Sequence, residues 1–323
     1  MKILAVDDEK LMLDFLYACL KEAGYEDFTS ISDPELAMRT IVRERPEFDC
    51  ILLDIDMPGK SGLEMCREIR AIERYRHVPI IMVTAKSDRT SVGSAFAKGA
   101  TDYLTKPFDS FEVVHRVRLA GALVAERKAA RDSYLALERF KSTDTPVATR
   151  PNSNATNAWI EGRNLVGQQE LRNYLSQVTK GSDLYADIFG VRLLHVDNIF
   201  EACKPNDFID IMDEVGGSVL ASLSDENSLV SLLGNGTFVC ATGSPVEEEL
   251  ESLEDRIQAE CQARLSRRFP DIAFDLIVTE PFRFSMLSRS QPNFDRIRKV
   301  IFNRADARLD SRSSSGQRSV ARA

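Results

Sequence analysis

Over residues 1–120, short apolar runs that stop at acidic or hydroxyl-bearing residues alternate with stretches whose apolar positions recur every three to four residues. The run K-I-L-A-V (residues 2–6) is strand-like and ends at Asp7-Asp8-Glu9. From Leu11 onward, Leu13, Phe15, Leu16, Cys19 and Leu20 keep helical spacing, and Gly24 ends the helix. Residues 28–31 predict a short strand, and Asp33-Pro34 supplies the cap and first turn of a helix reaching about Arg45. The run C-I-L-L (residues 50–53) is apolar without alternation, as in a strand buried on both faces, and stops at Asp54. Met57-Pro58-Gly59 turns the chain, and a helix follows over 62–75. A strand over 78–83 ends at Thr84-Ala85, and a helix over 89–98 ends at Gly99. The last short strand, 102–104, ends at Thr105-Lys106-Pro107-Phe108, before a helix from Asp109. Five strands alternating with five helices predict a doubly wound parallel α/β sheet over residues 1–122.

The final helix of this set does not stop cleanly. Apolar and alanine positions continue through Leu123, Val124, Ala129, Ala130, Leu135 and Leu137, which predicts a helical extension over 123–140. Arg127 and Arg131 fall near its seam, so a dimerising stalk and a single solvated helix both stay open. Residues 141–158 are polar and rich in Pro and Asn, the composition of a flexible linker. A second domain is expected over 159–310. It holds a strand-like V-R-L-L-H-V (191–196) and then two apolar arms (229–241) around Asn235-Gly236, a strong hairpin signal. A charged helix (246–268), a strand (272–279) and a helix (294–308) complete an α+β pattern around a partly antiparallel sheet. Residues 311–323, rich in Ser and Arg, read as a disordered tail.

Composition narrows the function classes. A chain of 323 residues has room for about two domains with their own cores. The net charge of -8 gives nucleic acid no bulk electrostatic attraction and makes it an improbable partner. No apolar run approaches the length of a membrane span, and the six residues before Asp7 leave no room for a signal-peptide core. The six cysteines are scattered with no C-x-x-C pair, the pattern of free thiols in a reducing cytoplasm. Three histidines far apart in sequence argue against a histidine metal site.

Four predicted strand ends carry the candidate chemistry: Asp7-Asp8, Asp54, Thr84 and Lys106. In a sheet of this kind they gather along one edge, where ligands bind. Three converging carboxylates repel unless a cation is shared, and such oxygen-rich clusters suit Mg²⁺. Lysine answers the remaining anion, a threonine hydroxyl can reach a phosphoryl oxygen, and a carboxylate can act as a nucleophile. Each residue alone has an ordinary explanation as a cap or a solvated charge. Their placement at successive strand ends is what singles them out.

The pieces V-D-D (6–8), L-L-D-I-D-M-P-G-K-S-G-L-E (52–64), V-T-A (83–85) and G-A-T-D-Y-L-T-K-P-F (99–108) resemble the receiver domain of two-component response regulators, in order and in spacing. That resemblance implies a flavodoxin-like fold with Asp54 as phosphoacceptor. It implies a Mg²⁺ held by Asp8, Asp54 and the backbone carbonyl of Asp56, with Asp7 supporting a metal-bound water. Thr84 and Tyr103 are then the switch pair, Lys106 is the phosphate partner, and the Lys106–Pro107 bond is cis. On this reading Tyr103 turns inward once Thr84 has moved. The implied partner is a sensor histidine kinase or a phosphotransfer protein. A homodimer through Asp102, Arg116 and Arg118, with Val113, Val114 and Val117 supplying apolar contact, is a further expectation.

The second domain resembles the GGDEF (nucleotide-cyclase-like) domain of diguanylate cyclases in degraded form. Gly234-Asn235-Gly236-Thr237-Phe238 occupies the family's signature, and V-I-F-N-R-A-D-A-R-L (300–309) resembles its closing helix. Gly236 and Thr237 stand where the family has a metal carboxylate and a catalytic acid. H-V-D-N-I (195–199) puts His195 in place of the other metal ligand, with Asp197 available in a shifted register. Two-metal phosphoryl chemistry without its carboxylates fails, so the domain is expected to be non-catalytic and to bind a protein or a nucleotide. An active cyclase making cyclic di-GMP from GTP and a transcriptional regulator are the competing readings. The acidic balance and the lack of a basic helix-turn-helix oppose the second of these.

Overall fold

A computed structural model describes residues 1–85, 88–141, 164–178, 185–203, 205–246, 249–270, 272–285 and 294–320. The linker expected over 141–158 lies outside these, apart from Lys141. The chain divides into two compact units, one built mainly from residues 1–150 and the other mainly from 151–323.

The first unit is a five-stranded parallel sheet in the order β2-β1-β3-β4-β5. Its strands are β1 (Ile3–Val6), β2 (Phe28–Ile31), β3 (Cys50–Asp54), β4 (Ile80–Thr84) and β5 (Asp102–Thr105). Between them run α1 (Lys10–Glu22), α2 (Pro34–Arg43), α3 (Gly62–Arg70) and α4 (Arg89–Ala97), with α5 (Ser110–Lys141) after β5. Side chains alternate along each strand. Ile3, Ala5, Cys50, Leu52, Ile81, Val83 and Leu104 pack against Leu13, Leu16 and Leu20 of α1 and Val113 and Val117 of α5. The alternate set, including Leu4, Ile51, Leu53 and Met82, is equally buried, and so are Ala37 and Ile41 of α2 and Met65 and Ile69 of α3. Both faces of β3 are therefore apolar, as its unalternating sequence requires. The residues predicted as one helix over 62–75 split: α3 stops at Arg70 and a 3-10 turn covers Glu73–Tyr75. Helix α5 is continuous for 32 residues.

The second unit is an antiparallel sheet covered on both faces by helices. Its order is β10-β6-β8-β7, with β9 paired to β6 on the same side as β10. The strands are β6 (Tyr185–Leu193), β7 (Leu229–Gly234), β8 (Thr237–Thr242), β9 (Leu276–Val278) and β10 (Phe282–Ser285). The helices are α6 (Gln168–Val178), α7 (Val196–Ala202), α8 (Pro205–Ala221), α9 (Leu250–Leu265) and α10 (Phe294–Val320). One face of the sheet (Phe189, Val191, Phe238, Cys240) packs on α8 and α9 through Ile211, Val215, Leu253 and Ile257. On the other face Ile301 of α10 comes so close to Gly190 that a Cβ there would lie 2.3 Å from its methyl carbon. Arg308 ties α10 to the buried Glu254, whose carboxylate also accepts from Val278 N. The edge of β7 is closed by backbone bonds to residues 164 and 166, which removes a free template for strand pairing.

Two expectations change here. The strand predicted over 191–196 begins at Tyr185 and stops at Leu193. Helix α10 carries helical backbone to Val320, across residues read as a disordered tail from Ser311. Extending a formed helix costs far less than starting one, so a Ser- and Arg-rich stretch can continue a helix it could not nucleate.

Candidate functional site

Parallel register sets the first unit's strand ends side by side: Val6 opposite Leu53, Asp54 opposite Val83, and Thr84 opposite Thr105. The residues that follow β1 and β5 thus flank the end of β3. Lys106 Nζ lies 2.7 Å from Asp7 Oδ2 and 3.0 Å from Asp54 Oδ1. Both carboxylates are buried, Asp7 at 1% and Asp54 at 4% exposure. Asp54 Oδ2 accepts from Asp56 N at 2.7 Å, and Asp7 Oδ1 accepts from Glu9 N at 2.9 Å. The Lys106 N–H donates to Thr84 O at 2.7 Å, which joins the lysine's loop to the end of β4. The Lys106–Pro107 peptide is cis, as the receiver resemblance implies, and Arg45–Pro46 is cis as well.

Burial pushes the Asp54 carboxyl above its ordinary value, and the Lys106 ammonium only partly offsets this. Burial also pulls Lys106 down, but its hydrogen bonds to Asp7 and Asp54 outweigh that and leave it raised. The two directions agree physically. Two carboxylates share one ammonium, so the lysine is over-supplied with negative charge and Asp54 under-supplied with positive charge.

Asp8 and Asp56 are exposed, and among the described residues no three His, Cys, Asp or Glu side chains gather closely enough to hold a metal ion. Asp7 and Asp8 are neighbours at a strand end, where successive side chains take opposite sides, and only Asp7 turns inward. Thr84 and Tyr103 are both fully buried, so the Tyr103 ring is already turned in rather than waiting outside for Thr84 to move.

The expected dimer contacts are also used differently. Arg116 Nη1 donates to both oxygens of Asp102 at 2.8 Å, and both side chains are buried. Val113 and Val117 lie in the unit's own core and Val114 packs against it.

Sequence reasoning missed two features beside the site. Leu11 at 85% and Phe111 at 77% exposure leave apolar surface at the first turns of α1 and α5, where Phe15 and Phe108 rings lie 6.1 Å apart. The available signal was that Leu11 and Phe111 fall off the buried stripes of their helices. The other is Gly62, whose Cα lies against the backbone of Asp54.

In the second unit the Asn235-Gly236 turn joins β7 to β8 as predicted, with positive φ at both residues. It sits at the end of β6, where Leu193 N donates to Gly236 O at 2.8 Å. Thr237 is fully buried, and a Cβ on Gly236 would lie 2.6 Å from a methyl of Val196. His195, at φ 54°, is exposed between β6 and α7, and Asp197 is exposed in the first turn of α7.

The buried Asp7–Lys106–Asp54 cluster lies at the carboxyl edge of a doubly wound parallel sheet, where open α/β domains bind their ligands. Residues 3–118 match the response regulator receiver domain family, and this part of the chain is a receiver domain. The chain is similar to the chemotaxis response regulator CheY4 of Vibrio cholerae, at 29% identity over 37% of this chain and 97% of that one, with a TM-score of 0.35. It is similar to the receiver domain of the sensor histidine kinase PA1611 of Pseudomonas aeruginosa PAO1, at 34% identity over 38% and 97%, TM-score 0.34; that structure holds a magnesium ion in its active site cleft. The receiver domain of NtrX from Brucella abortus gives 27% identity over 37% and 97%, TM-score 0.34. No helix among the described residues is long and apolar enough to cross a membrane. The six cysteines are free, five of them buried.

Proposed function

We propose that this chain is a cytoplasmic response regulator in which a sensor histidine kinase or phosphotransfer protein phosphorylates Asp54, and the receiver controls a non-catalytic GGDEF-like domain. The observation that carries this is the Lys106 ammonium held between two buried carboxylates at the strand ends. An oxygen of Asp54 attacks the phosphorus of a phosphohistidine, the P–N bond breaks, and the imidazole nitrogen leaves with the bonding pair and is protonated by solvent. Lys106 is placed to neutralise the phosphoryl oxygens that arrive.

Mg²⁺ fits the donor set. Asp54, its acidic neighbours Asp7 and Asp8, and the carbonyl of Asp56 are hard oxygen ligands, and Mg²⁺ takes one or two carboxylates and keeps its waters. Burial raises the Asp54 carboxyl, and a cation beside it would favour its ionised form. When bound, the ion would supply that charge to the incoming phosphoryl group. Thr84 and Tyr103 are the switch pair. A phosphoryl group brings roughly two negative charges and strong acceptor oxygens, to which the Thr84 hydroxyl can donate.

For the second unit, the GGDEF-like reading is supported by the hairpin tip lying beside the end of β6. Its loss of catalysis is supported by the glycine and buried threonine at that tip. Incubation with acetyl phosphate and Mg²⁺ tests the receiver reading. Label is expected on wild type and not on Asp54→Asn, and label persisting on another residue overturns the assignment.

A further inference from the structure

We infer that Arg70 anchors a hinge in the receiver: it pins the carboxyl end of α4 to α3, so that a rearrangement begun at Thr84 swings the amino end of α4 and leaves the entry to β5 in place. The inference rests on the switch reading of Thr84 and Tyr103 given above. Arg70 is the last residue of α3, and its guanidinium ties the approach to β4 to the turn between α4 and β5. Nε donates to Gly99 O at 2.8 Å, just beyond α4. Nη1 donates to Tyr75 O at 2.8 Å and to Val78 O at 2.7 Å. Nη2 donates to Thr101 Oγ1 at 3.3 Å, and the same oxygen accepts from Ile80 N at 3.2 Å. A rigid fork of N–H donors suits several oxygens at fixed positions, where a lysine ammonium on a flexible stem does not.

The two ends of α4 are held differently. At its carboxyl end Ala100 N donates to Ala95 O at 3.0 Å and Gly99 N to Phe96 O at 2.9 Å, around a left-handed Gly99 at φ 96°. Such a termination leaves the next carbonyls, those of Lys98 and Gly99, without helical donors. Helix α3 supplies both. Arg70 takes Gly99 O, and Cys66, one turn earlier on the same face, donates its thiol hydrogen to Lys98 O at 3.3 Å. The Arg70 stem also covers Gly99, where a Cβ would lie 2.8 Å from Cγ of the arginine. At the amino end, Thr90-Ser91-Val92-Gly93 are poor helix formers. The cap there is local: Asp88 accepts from Ser91 N at 3.0 Å and from Ser91 Oγ at 2.6 Å. A helix tied firmly at one end and weakly formed at the other pivots about the tied end. Strand β4 runs from Ile80 to Thr84, so the anchor and the switch threonine lie about 13 Å apart along it. Tyr103 follows the anchored Thr101 by two residues, which keeps the start of β5 fixed while the chain beyond Thr84 moves.

The test is amide hydrogen exchange on the full chain as wild type, Arg70→Met and Arg74→Met, with and without beryllofluoride and Mg²⁺ as a stand-in for a phosphoryl group on Asp54. Arg74 is the control, since its Nη2 donates to Ile41 O at 3.0 Å and Val42 O at 2.6 Å, at the end of α2. In the wild type, beryllofluoride is expected to change exchange over 88–94 and to leave Gly99, Ala100 and Thr101 as they were. In Arg70→Met the change should reach 99–101, with exchange there about tenfold faster. Asp54 should still label from acetyl phosphate within about twofold of wild type, because the substitution is distant from it. Arg74→Met is expected to lower the unfolding midpoint and keep the wild-type pattern. A wild-type change that already reaches 99–101, an unaltered pattern in Arg70→Met, or the same spread in Arg74→Met overturns the anchor. Should Arg70→Met not fold, Arg70→Lys replaces the fork with one ammonium; the same spread is expected, and a change confined to 88–94 overturns it. A wild type that does not respond to beryllofluoride overturns the switch reading instead. The anchor is then read in the unmodified protein, where 99–101 should exchange about tenfold more slowly than 91–94 and lose that protection in Arg70→Met; equal exchange in the wild type overturns it.

Discussion

The Lys106 ammonium stands 3.0 Å from Asp54 Oδ1 across the carboxyl edge of the receiver sheet, and the same nitrogen reaches Asp7 Oδ2 at 2.7 Å. Removing the ammonium leaves two buried carboxylates facing one another without a cation. Lys106→Met is therefore expected to destabilise the receiver by on the order of 3 kcal/mol. It should also abolish efficient labelling by acetyl phosphate. Urea unfolding of the variant measures the first effect, and unchanged stability would mean that the cluster is not held by this lysine.

Asp54→Asn should act in the opposite direction at neutral pH. An acid whose folded pKa is raised binds its proton more tightly in the folded state, so ionising Asp54 weakens the fold. That penalty is complete above the folded pKa and vanishes below the ordinary carboxyl range, near about pH 4. The raised Lys106 runs the other way: its contribution is complete below the ordinary lysine value and is lost as pH rises through the folded one. At pH 7 the asparagine variant is expected to be more stable than wild type, with a higher midpoint for the receiver transition. The gain should shrink as the pH is lowered toward 4. A variant less stable than wild type at pH 7 would show that Lys106 outweighs burial.

Because Asp102 and Arg116 satisfy each other inside one subunit, they should behave as a buried pair and not as an intersubunit contact. Asp102→Asn or Arg116→Met is expected to cost roughly 3–5 kcal/mol, since each leaves the other charge buried alone. Sedimentation of the folded single variants should match wild type. A change in oligomeric state at unchanged stability would return these residues to an interface.

A protein donor must dock close to Asp54, and the exposed Leu11 and Phe111 offer apolar surface on the neighbouring helix ends. Leu11→Ser and Phe111→Ser should slow transfer from the cognate kinase about tenfold, the loss of roughly 1.4 kcal/mol of contact. Transfer from acetyl phosphate, which needs no docking, should be unchanged. Equal slowing with both donors would place these side chains in the chemistry or the fold instead.

What was legible in the sequence followed from backbone periodicity. A buried parallel strand reads as an unbroken apolar run, so the end of β3 and the position of Asp54 could be placed within a residue. Side-chain direction at strand ends could not: Asp7 inward, Asp8 outward and Tyr103 buried depend on packing from other elements. The second unit hid more. Asp187 and Gly190 interrupt the apolar pattern of β6. The carboxylate is satisfied by Val246 N and Arg283, and the glycine makes room for Ile301. Helix α8 carries Gly216-Gly217 in its interior, a pattern that argues against a helix. Gly216 is there because Leu165 and Phe238 pack against its missing side chain.

The second unit is expected to make no cyclic dinucleotide from GTP, with Asp54 phosphorylated or not. Joining two GTP molecules requires a ribose hydroxyl to lose its proton and attack a triphosphate, and divalent ions held by fixed carboxylates make both possible. At the hairpin tip the chain offers Gly236 and Thr237. Thr237 is fully buried, and a carboxylate at 236 would collide with Val196, 2.6 Å from the position of its Cβ. Asp197 is exposed on the first turn of α7, beyond the end of β6. Losing such ligands costs several kcal/mol of transition-state stabilisation, on the order of 10³-fold or more in rate. The Asn235-Gly236 turn has left-handed backbone at both residues, the geometry of a tight hairpin. Chromatography after incubation with GTP and Mg²⁺ or Mn²⁺ is the assay, on both phosphorylation states. Product that disappears in Asp197→Asn would mean that this carboxylate reaches the hairpin tip and that the unit is an enzyme.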